Sequence, residues 1–251
     1  MQIVIYTLLN YMNTCIKQDT NYEIAKYLLL NIQKISKMSL EDTALLCNVS
    51  VSTLTRFFRT VGFYNFSTIK RLLKNQEYPF DQNSFVNHHN SEEYIEDIAQ
   101  GLYRLENIDS EKLMNIAKWI DQAPHIYMLG YGDFHYQAAY FQNIMLYHGK
   151  LLEIIHQNEQ FKPAKLEPED MLLITSLSGK YVKNIETTLK KCKCRKILIT
   201  QMNDMHSDFD CVLEMGINQD KNLDKYFIMR IYEKIISSYC FHKSGHIMAS
   251  K

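Results

Sequence analysis

The chain has 251 residues, 46% of them hydrophobic, which is enough apolar material for one large domain or two ordinary ones. Its formal net charge of zero argues against a protein that binds nucleic acid over its whole surface. The charge is unevenly divided, however. Residues 1–77 carry nine Lys and Arg against five Asp and Glu, a net charge of +4, and residues 78–251 carry nineteen against twenty-three, a net charge of −4. This asymmetry confines any DNA contact to the first part of the chain.

The cysteines and the apolar segments exclude other classes of protein. The six cysteines form no Cys-x-x-Cys pair and no spacing typical of a zinc site, so we expect reduced thiols, no metal site and no cofactor. The apolar residues 1–12 lack the basic region and the cleavage site of a signal peptide and are too short to span a bilayer. We therefore expect a cytoplasmic protein without membrane contact.

Apolar residues recur with helical periodicity through most of the N-terminal part. This pattern predicts an all-α domain over residues 1–77, with helices at 1–12, 21–36, 40–47, 51–61 and 66–76. Only a tight turn separates the helix at 40–47 from the helix at 51–61, a spacing typical of a helix-turn-helix.

Turn chemistry supports the helix-turn-helix. The first helix has apolar residues that we expect on one buried face: Leu40, Ala44, Leu45 and Cys47. Asn48 and Val49 form the turn. Ser50 then lies at the N-cap position, where its hydroxyl can accept a hydrogen bond from the amide of Thr53. Gly62 ends the second helix as a left-handed C-cap.

The second helix carries short hydrogen-bonding side chains and guanidinium groups on its predicted outward face. Such groups read base edges and bind phosphates when a helix lies in the major groove of DNA. No acidic residue interrupts the basic residues between Thr55 and Lys74. We predict these DNA-contacting residues: Ser52, Thr53, Thr55, Arg56, Arg59, Lys70 and Arg71. The structural alternative is a helical hairpin with a polar surface and no ligand.

The sequence changes character after residue 77. Residues 78–91 break the periodicity with proline and a cluster of Asn, Ser and His, which predicts a linker. Helices predicted at 92–107 and 110–122 lead into an alternation of short apolar strands and helices, which predicts an α/β sandwich with a parallel sheet over residues 92–243. The strands are predicted at 125–130, 150–155, 171–176, 196–200 and 211–215, and the helices at 133–148, 180–192 and 221–240. Residues 244–251 are predicted to be a tail.

Ligands of parallel sheets bind where the strands end and helices begin. The loops at 130–135, 175–180 and 200–208 occupy such positions. Gly130 and Gly132 would let backbone amides approach an anion, although a dinucleotide fingerprint is missing. The second loop combines hydroxyl groups, amides and a cation, which suits a phosphate: Ser176, Ser178, Gly179 and Lys180. Serines in such turns also serve only as helix caps, and this alternative stays open.

The residues after the helix-turn-helix resemble a known family. Gly62, Phe63, Phe66, Ile69 and Lys70 follow the Gly-Phe-x-x-Phe-x-x-hydrophobic-Lys segment of RpiR-type transcriptional regulators. The alternating half resembles the sugar isomerase (SIS) domain that those regulators carry. The resemblance implies a regulator that binds a double-stranded DNA operator as a homodimer or higher homo-oligomer, with a phosphosugar as candidate effector. The alternatives are a sugar-phosphate isomerase and a regulator whose SIS domain binds no ligand.

The ligand loops depart from the pattern of the family. The first loop has Phe134 at the serine of G-x-G-x-S, and the second has Tyr181 and Lys183 at the threonine and the acid of S-x-S-G-x-T-x-E. In the third loop Asp208 follows Ser207 where the family often has proline. These replacements predict weak or absent binding of common sugar phosphates.

An isomerase needs a base beside the phosphate loop. The candidates near the strand ends are His135, His156 and Glu159. Because Phe134 intrudes on the ligand volume, we predict no catalytic residues and a protein that is not an enzyme.

Overall fold

A computed structural model describes residues 2–74, 91–105, 107–130, 134–155, 166–204, 208–216 and 223–249. The chain divides into two compact units, Met1–Phe80 and Asp81–Lys251. This division falls inside the segment 78–91 that we predicted as the linker, and each unit is described by itself below.

The first unit is helical, as predicted. Its helices are α1 (Gln2–Thr14), α2 (Thr20–Leu30), α3 (Ile32–Ile35), α4 (Leu40–Leu46), α5 (Val51–Thr60) and α6 (Phe66–Lys74). They enclose one apolar core to which α1, α2, α5 and α6 all contribute buried side chains. Burial of this surface is the main source of stability for helices that are too short to persist alone.

One predicted helix is broken in the structure. Residues 21–36 form α2 and α3, which are separated at Asn31. The side-chain amide of Asn31 donates to the carbonyl of Tyr27 at 2.9 Å, and the backbone N–H of Asn31 points at the same carbonyl at 3.2 Å. An asparagine side chain that competes for helical carbonyls favours a turn over a continuing helix.

The second unit has the predicted α/β architecture. Its described elements are α7 (Ser91–Leu105), α8 (Ser110–Gln122), β1 (Ile126–Gly130), α9 (Phe134–Tyr147), β2 (Leu152–Ile155), β3 (Met171–Thr175), α10 (Lys180–Leu189), β4 (Arg195–Thr200), β5 (Cys211–Glu214) and α11 (Asp224–Ala249). The strands form one sheet in the order β2-β1-β3-β4-β5, and every pair is parallel. The predicted fold class is therefore confirmed.

Both faces of the sheet are covered, but unequally. Helices α7, α8, α9 and α11 pack on one face, where they share a large apolar core with all five strands. Helix α10 covers the opposite face with Tyr181, Val182, Ile185 and Leu189. Central strand β3 is buried at every position, as expected for a parallel strand between two layers.

The last helix is longer than we predicted. Helix α11 continues to Ala249, so residues 244–249 extend a helix and are not a separate tail. The ammonium of Lys243 lies 3.0 Å from a carboxylate oxygen of Asp121 at the end of α8, and the imidazole of His242 lies 3.6 Å from the other oxygen. The hydroxyl of Ser244 donates to the carbonyl of Cys240 within the helix. In the described part of the chain, no helix combines the length and apolarity that would let it cross a membrane.

Candidate functional site

The turn between α4 and α5 has the geometry that its residues predict. Asn48 adopts a left-handed conformation with φ 53°. The N–H of Asn48 donates to Leu45 and the N–H of Val49 donates to Ala44, each at 3.0 Å, and these two bonds close the end of α4. Asparagine tolerates this conformation better than other residues that carry a Cβ, which explains its place at the turn.

One predicted core residue of α4 is exposed. Leu45 is 76% exposed, and Thr43 is buried instead. A helix rotates by about 100° per residue, so Leu45 lies roughly 140° around the axis from Leu40, whereas Ala44 and Cys47 stay within about 40° of it. Our assignment of Leu45 to the buried face was therefore wrong, and the register of the helix is the reason.

Both ends of α5 are fixed by hydrogen bonds. The hydroxyl of Ser50 accepts from the amide of Thr53 at 3.1 Å, which confirms the predicted N-cap. At the other end Gly62 has φ 90°, and the N–H of Phe63 donates to the carbonyl of Phe58 at 2.8 Å. The left-handed Gly62 and the bond from Phe63 to Phe58 are the features of a Schellman motif, which ends the helix at a defined residue.

The outward face of α5 carries the polar groups. Ser52, Arg56 and Arg59 are exposed at a spacing of four and three residues, so they form one stripe along the helix. Thr53 and Thr55 are half-buried beside this stripe. The hydroxyl of Thr55 donates to the carbonyl of Val51 at 2.8 Å, one helical turn earlier. Five of the predicted DNA-contacting residues therefore lie on α5, and three of them form its exposed stripe.

The two predicted residues on α6 differ from each other. Arg71 is exposed. Lys70 is half-buried, and its ammonium donates to the backbone carbonyl of Met38 at 2.9 Å and lies 5.8 Å from the centre of the Phe66 ring. This geometry does not favour the phosphate contact that we predicted for Lys70.

In the second unit, the serine loop follows β3 and leads into α10. The hydroxyl of Ser176 accepts from the amide of Val182 at 3.3 Å, and the carbonyl of Ser176 accepts from the amide of Gly179 at 3.2 Å. Gly179 has φ 72°. Ser178 is half-buried and Lys180 is exposed. Two of the groups that we predicted to hold an anion, the Ser176 hydroxyl and the Gly179 amide, thus form bonds within the loop.

Phe134 occupies the space beside the first loop. Its ring is 2% exposed, and a Cβ placed on Gly130 would lie only 2.4 Å from the Cγ of Phe134. The glycine is therefore needed for close packing against this ring. Gly132 lies outside the described residues.

Among the other departures from the family pattern, Tyr181 has a structural role. Tyr181 is buried in the core beneath α10, and burial raises the pKa of its phenol. Lys183 and Asp208 are exposed, and Ser207 lies outside the described residues.

The candidate bases gain no support. His135 is 2% exposed, with its ring centre 5.3 Å from that of Phe134. His156 and Glu159 lie outside the described residues. Among the residues that the structure describes, no three His, Cys, Asp or Glu side chains are grouped so that they could hold a metal ion.

Sequence reasoning missed the residues that hold the serine loop in place. The hydroxyl of Thr200 donates to the carbonyl of Ser176 at 2.8 Å, and the amide of Gln201 donates to the carbonyl of Leu177 at 3.1 Å. The side chain of Gln201 then donates to the carboxylate of Asp224 at 2.7 Å, at the start of α11. Thr200 ends a predicted strand and Gln201 follows it, and this position is the signal that could have identified them.

The chain is similar in sequence to known proteins. Residues 8–78 match the family described as helix-turn-helix domain, rpiR family. The HTH-type transcriptional regulator GlvR of Bacillus subtilis (strain 168) is 25% identical over 164 residues, which are 64% of this chain and 62% of GlvR. The chain therefore spans less than two thirds of this curated relative.

Solved structures share the fold. The Vibrio vulnificus NanR protein complexed with ManNAc-6P has a TM-score of 0.51 and 16% identity, over 94% of this chain and 90% of that chain. The sugar isomerase domain of an RpiR transcription factor from Sphaerobacter thermophilus has a TM-score of 0.51 and 14% identity, over 64% of this chain and 95% of that chain. Residues 8–78 are thus similar to the helix-turn-helix domain of the rpiR family, and the second unit shares the fold of the sugar isomerase domain.

Proposed function

We propose that the protein is a DNA-binding transcriptional regulator of genes for sugar metabolism, and that α5 reads its operator. The observation that carries this proposal is the exposed stripe of Ser52, Arg56 and Arg59 on a helix whose two ends are fixed by hydrogen bonds. The match of residues 8–78 to the rpiR helix-turn-helix family supports it. The function is binding and not catalysis.

The stripe suits a major groove chemically. An arginine fork can donate two hydrogen bonds to the O6 and N7 atoms of guanine, and a serine hydroxyl can pair with several base edges. The small side chains near the start of α5 allow the helix to approach the bases closely. Arg71 on α6 would then contact the phosphate backbone and fix the position of the domain along the duplex.

The second unit would join two copies of the chain and carry the effector site. A single helix-turn-helix covers little DNA, so reading two half-sites one helical turn apart requires a homodimer or higher homo-oligomer. A regulator that binds DNA, like the bacterial protein that it resembles, would lie in the cytoplasm. A phosphosugar is the candidate effector class, which the sugar isomerase fold and the ManNAc-6P complex of the NanR protein support.

We further propose that common sugar phosphates bind weakly or not at all. The hydroxyl of Ser176 and the amide of Gly179 already bond within the loop, and Phe134 stands where the family has a serine. A lost hydrogen bond to a charged phosphate weakens binding by about 1.5–3 kcal/mol, which is roughly tenfold to a hundredfold. Any true effector is expected to place its phosphate against Ser178.

The test begins with the full chain and a pool of random DNA duplexes, from which binding sequences are selected in repeated rounds. Fluorescence anisotropy then measures the affinity of the wild type, Arg56→Ala and Lys180→Ala for the selected duplex. Loss of Arg56 should weaken binding by about 1–3 kcal/mol and relax the preference at one base position. Lys180 is an equally exposed cation in the second unit, so its loss should change nothing. Failure to enrich any sequence, with no binding at low salt, would reject the proposal.

A further inference from the structure

Lys70 joins two parts of the first unit that are distant in sequence. Its ammonium donates to the carbonyl of Met38 at 2.9 Å, across 32 positions of the chain. Met38 immediately precedes Ser39, and Ser39 is the N-cap of α4: its hydroxyl accepts from the amide of Asp42, whose carboxylate bonds back to the amide of Ser39. Lys70 therefore holds the chain at the point where the first helix of the helix-turn-helix begins.

The same side chain also contacts the packing that supports α5. The ammonium lies 5.8 Å from the centre of the Phe66 ring. Phe66 stacks on Phe58 of α5, with ring centres 5.8 Å apart and planes inclined by 15°. Phe58 is 2% exposed and lies on the side of α5 opposite to the polar stripe. One lysine thus connects the start of α4 with the buried side of α5.

We propose that Lys70 is a positioning residue for DNA recognition, which sets the placement of α4 relative to α5 and makes no contact with DNA phosphate. This inference rests on the proposed function. The structure directs the ammonium of Lys70 at a backbone carbonyl of the protein, and the side chains of Arg71 and Lys74 are exposed at the surface. Loss of the ammonium would leave the Met38 carbonyl without this donor and would free the start of α4 to shift.

The two roles predict different dependence on salt. A side chain that contacts phosphate releases counterions when DNA binds. Removing that side chain therefore makes the plot of the logarithm of the association constant against the logarithm of the salt concentration less steep, by about one. A positioning contact inside the protein releases none, so its loss lowers affinity at every salt concentration and leaves the slope unchanged. The salt slope therefore separates the two roles even where both lower the affinity.

The experiment compares Lys70→Met with Lys74→Met in the full chain. Methionine keeps most of the length and apolar contact of lysine while removing the charge, and Lys74 lies one turn further along the same helix in an exposed position. Lys70→Met should lower the Tm of the first unit by about 5 °C and weaken binding to the selected duplex about tenfold, with the wild-type slope. Lys74→Met should leave the Tm unchanged.

A second variant protects the test against loss of folding. Lys70→Gln retains a neutral donor and should give a smaller fall in affinity than Lys70→Met, again with the wild-type slope. A slope reduced by about one in Lys70→Gln, with an unchanged Tm, would overturn the inference and return Lys70 to the phosphate contacts. Absence of DNA binding by the wild type would reject the proposed function instead, while the Tm of the variants would still report on the Met38 contact.

Discussion

The serine-bearing turns before α5 and before α10 differ in what they leave for a ligand. At α5 the hydroxyl of Ser50 caps the helix, and the exposed stripe of Ser52, Arg56 and Arg59 begins beyond the cap. At α10 the N-cap is Gly179, and the hydroxyl of Ser176 accepts from the amide of Val182 in the first turn, so here a predicted ligand group supports the helix. At α5 one residue supports the helix and other residues are left for a partner, whereas at α10 the same residue was predicted for both roles.

The surroundings of the two turns reinforce the difference. The turn before α5 is exposed, with Asn48 and Ser50 at the surface. Backbone carbonyls of the turn before α10 accept hydrogen bonds from Thr200 and Gln201, and Phe134 packs against Gly130 of the neighbouring strand. The first turn thus leaves its side chains at the surface, whereas the second is held to the body of its domain.

The largest expected effect comes from Phe134→Ser, which restores the hydroxyl of the family pattern. Removing a buried phenyl ring should destabilise the second unit by about 3–5 kcal/mol, because it leaves a cavity beside Gly130. Urea unfolding measures this loss. Phe241→Ser is the matched control, since that ring is 73% exposed and its replacement should be nearly neutral. Equal stability of the two variants would show that Phe134 does not fill the site.

A smaller effect is expected at the end of α5. Gly62 has φ 90° and no atom within 4 Å of a Cβ placed on it, so Gly62→Ala adds backbone strain without a clash. The strain should destabilise the first unit by about 1–2 kcal/mol. Gly245 in α11 also has open space around its Cβ position, and there alanine should stabilise by up to about 1 kcal/mol. Thermal unfolding measures the stability of both variants. A Gly62→Ala variant more stable than the wild type would contradict the left-handed conformation of Gly62 at the end of α5.

The smallest effect concerns pH. Burial raises the pKa of Asp121, but the hydrogen bond and charge of Lys243, with the charges of Lys150 and His242, outweigh it and hold the pKa below its ordinary value. The Asp121 carboxylate therefore contributes its full share of the folding stability above the ordinary aspartate pKa of about 3.9. This share is lost as the pH falls through the lower pKa of the folded state. Because Lys243 is half-exposed, this contribution should stay below about 1 kcal/mol.

Asp121→Asn provides the check on this carboxylate. Unfolding measured between neutral and acid pH should show a smaller loss of stability in the variant than in the wild type. Identical pH profiles would mean that the Lys243 contact contributes nothing to the attachment of α11.

Sequence patterns predicted the elements well because apolar periodicity and caps are local. Ser50, Gly62 and the five strands follow from neighbouring residues alone. The errors arose where distant parts of the chain decide the outcome. The tail was predicted because Asp121, which fixes Lys243, lies far away in the chain. The bond of Lys70 to the carbonyl of Met38 is likewise invisible in the neighbouring sequence, and the DNA contact of Lys70 stays a prediction.

The candidate ligand site was harder to predict for the same reason. Phe134 was recognised as a departure from the family pattern, but its packing against Gly130 depends on the shape of the finished domain. The role of Thr200 depends on the parallel pairing of β3 with β4, which brings its hydroxyl to the serine loop. Strand order cannot be read from the strands themselves.

One measurement tests the contrast between the two turns most directly. The affinity of the full chain for its selected duplex is measured by anisotropy, first alone and then with each of a panel of hexose and pentose phosphates at millimolar concentration. Tight, salt-dependent binding that the whole panel leaves unchanged is the predicted result. A tenfold change in affinity with any one sugar phosphate, abolished by Ser178→Ala, would contradict it and show that the serine loop is an open effector site.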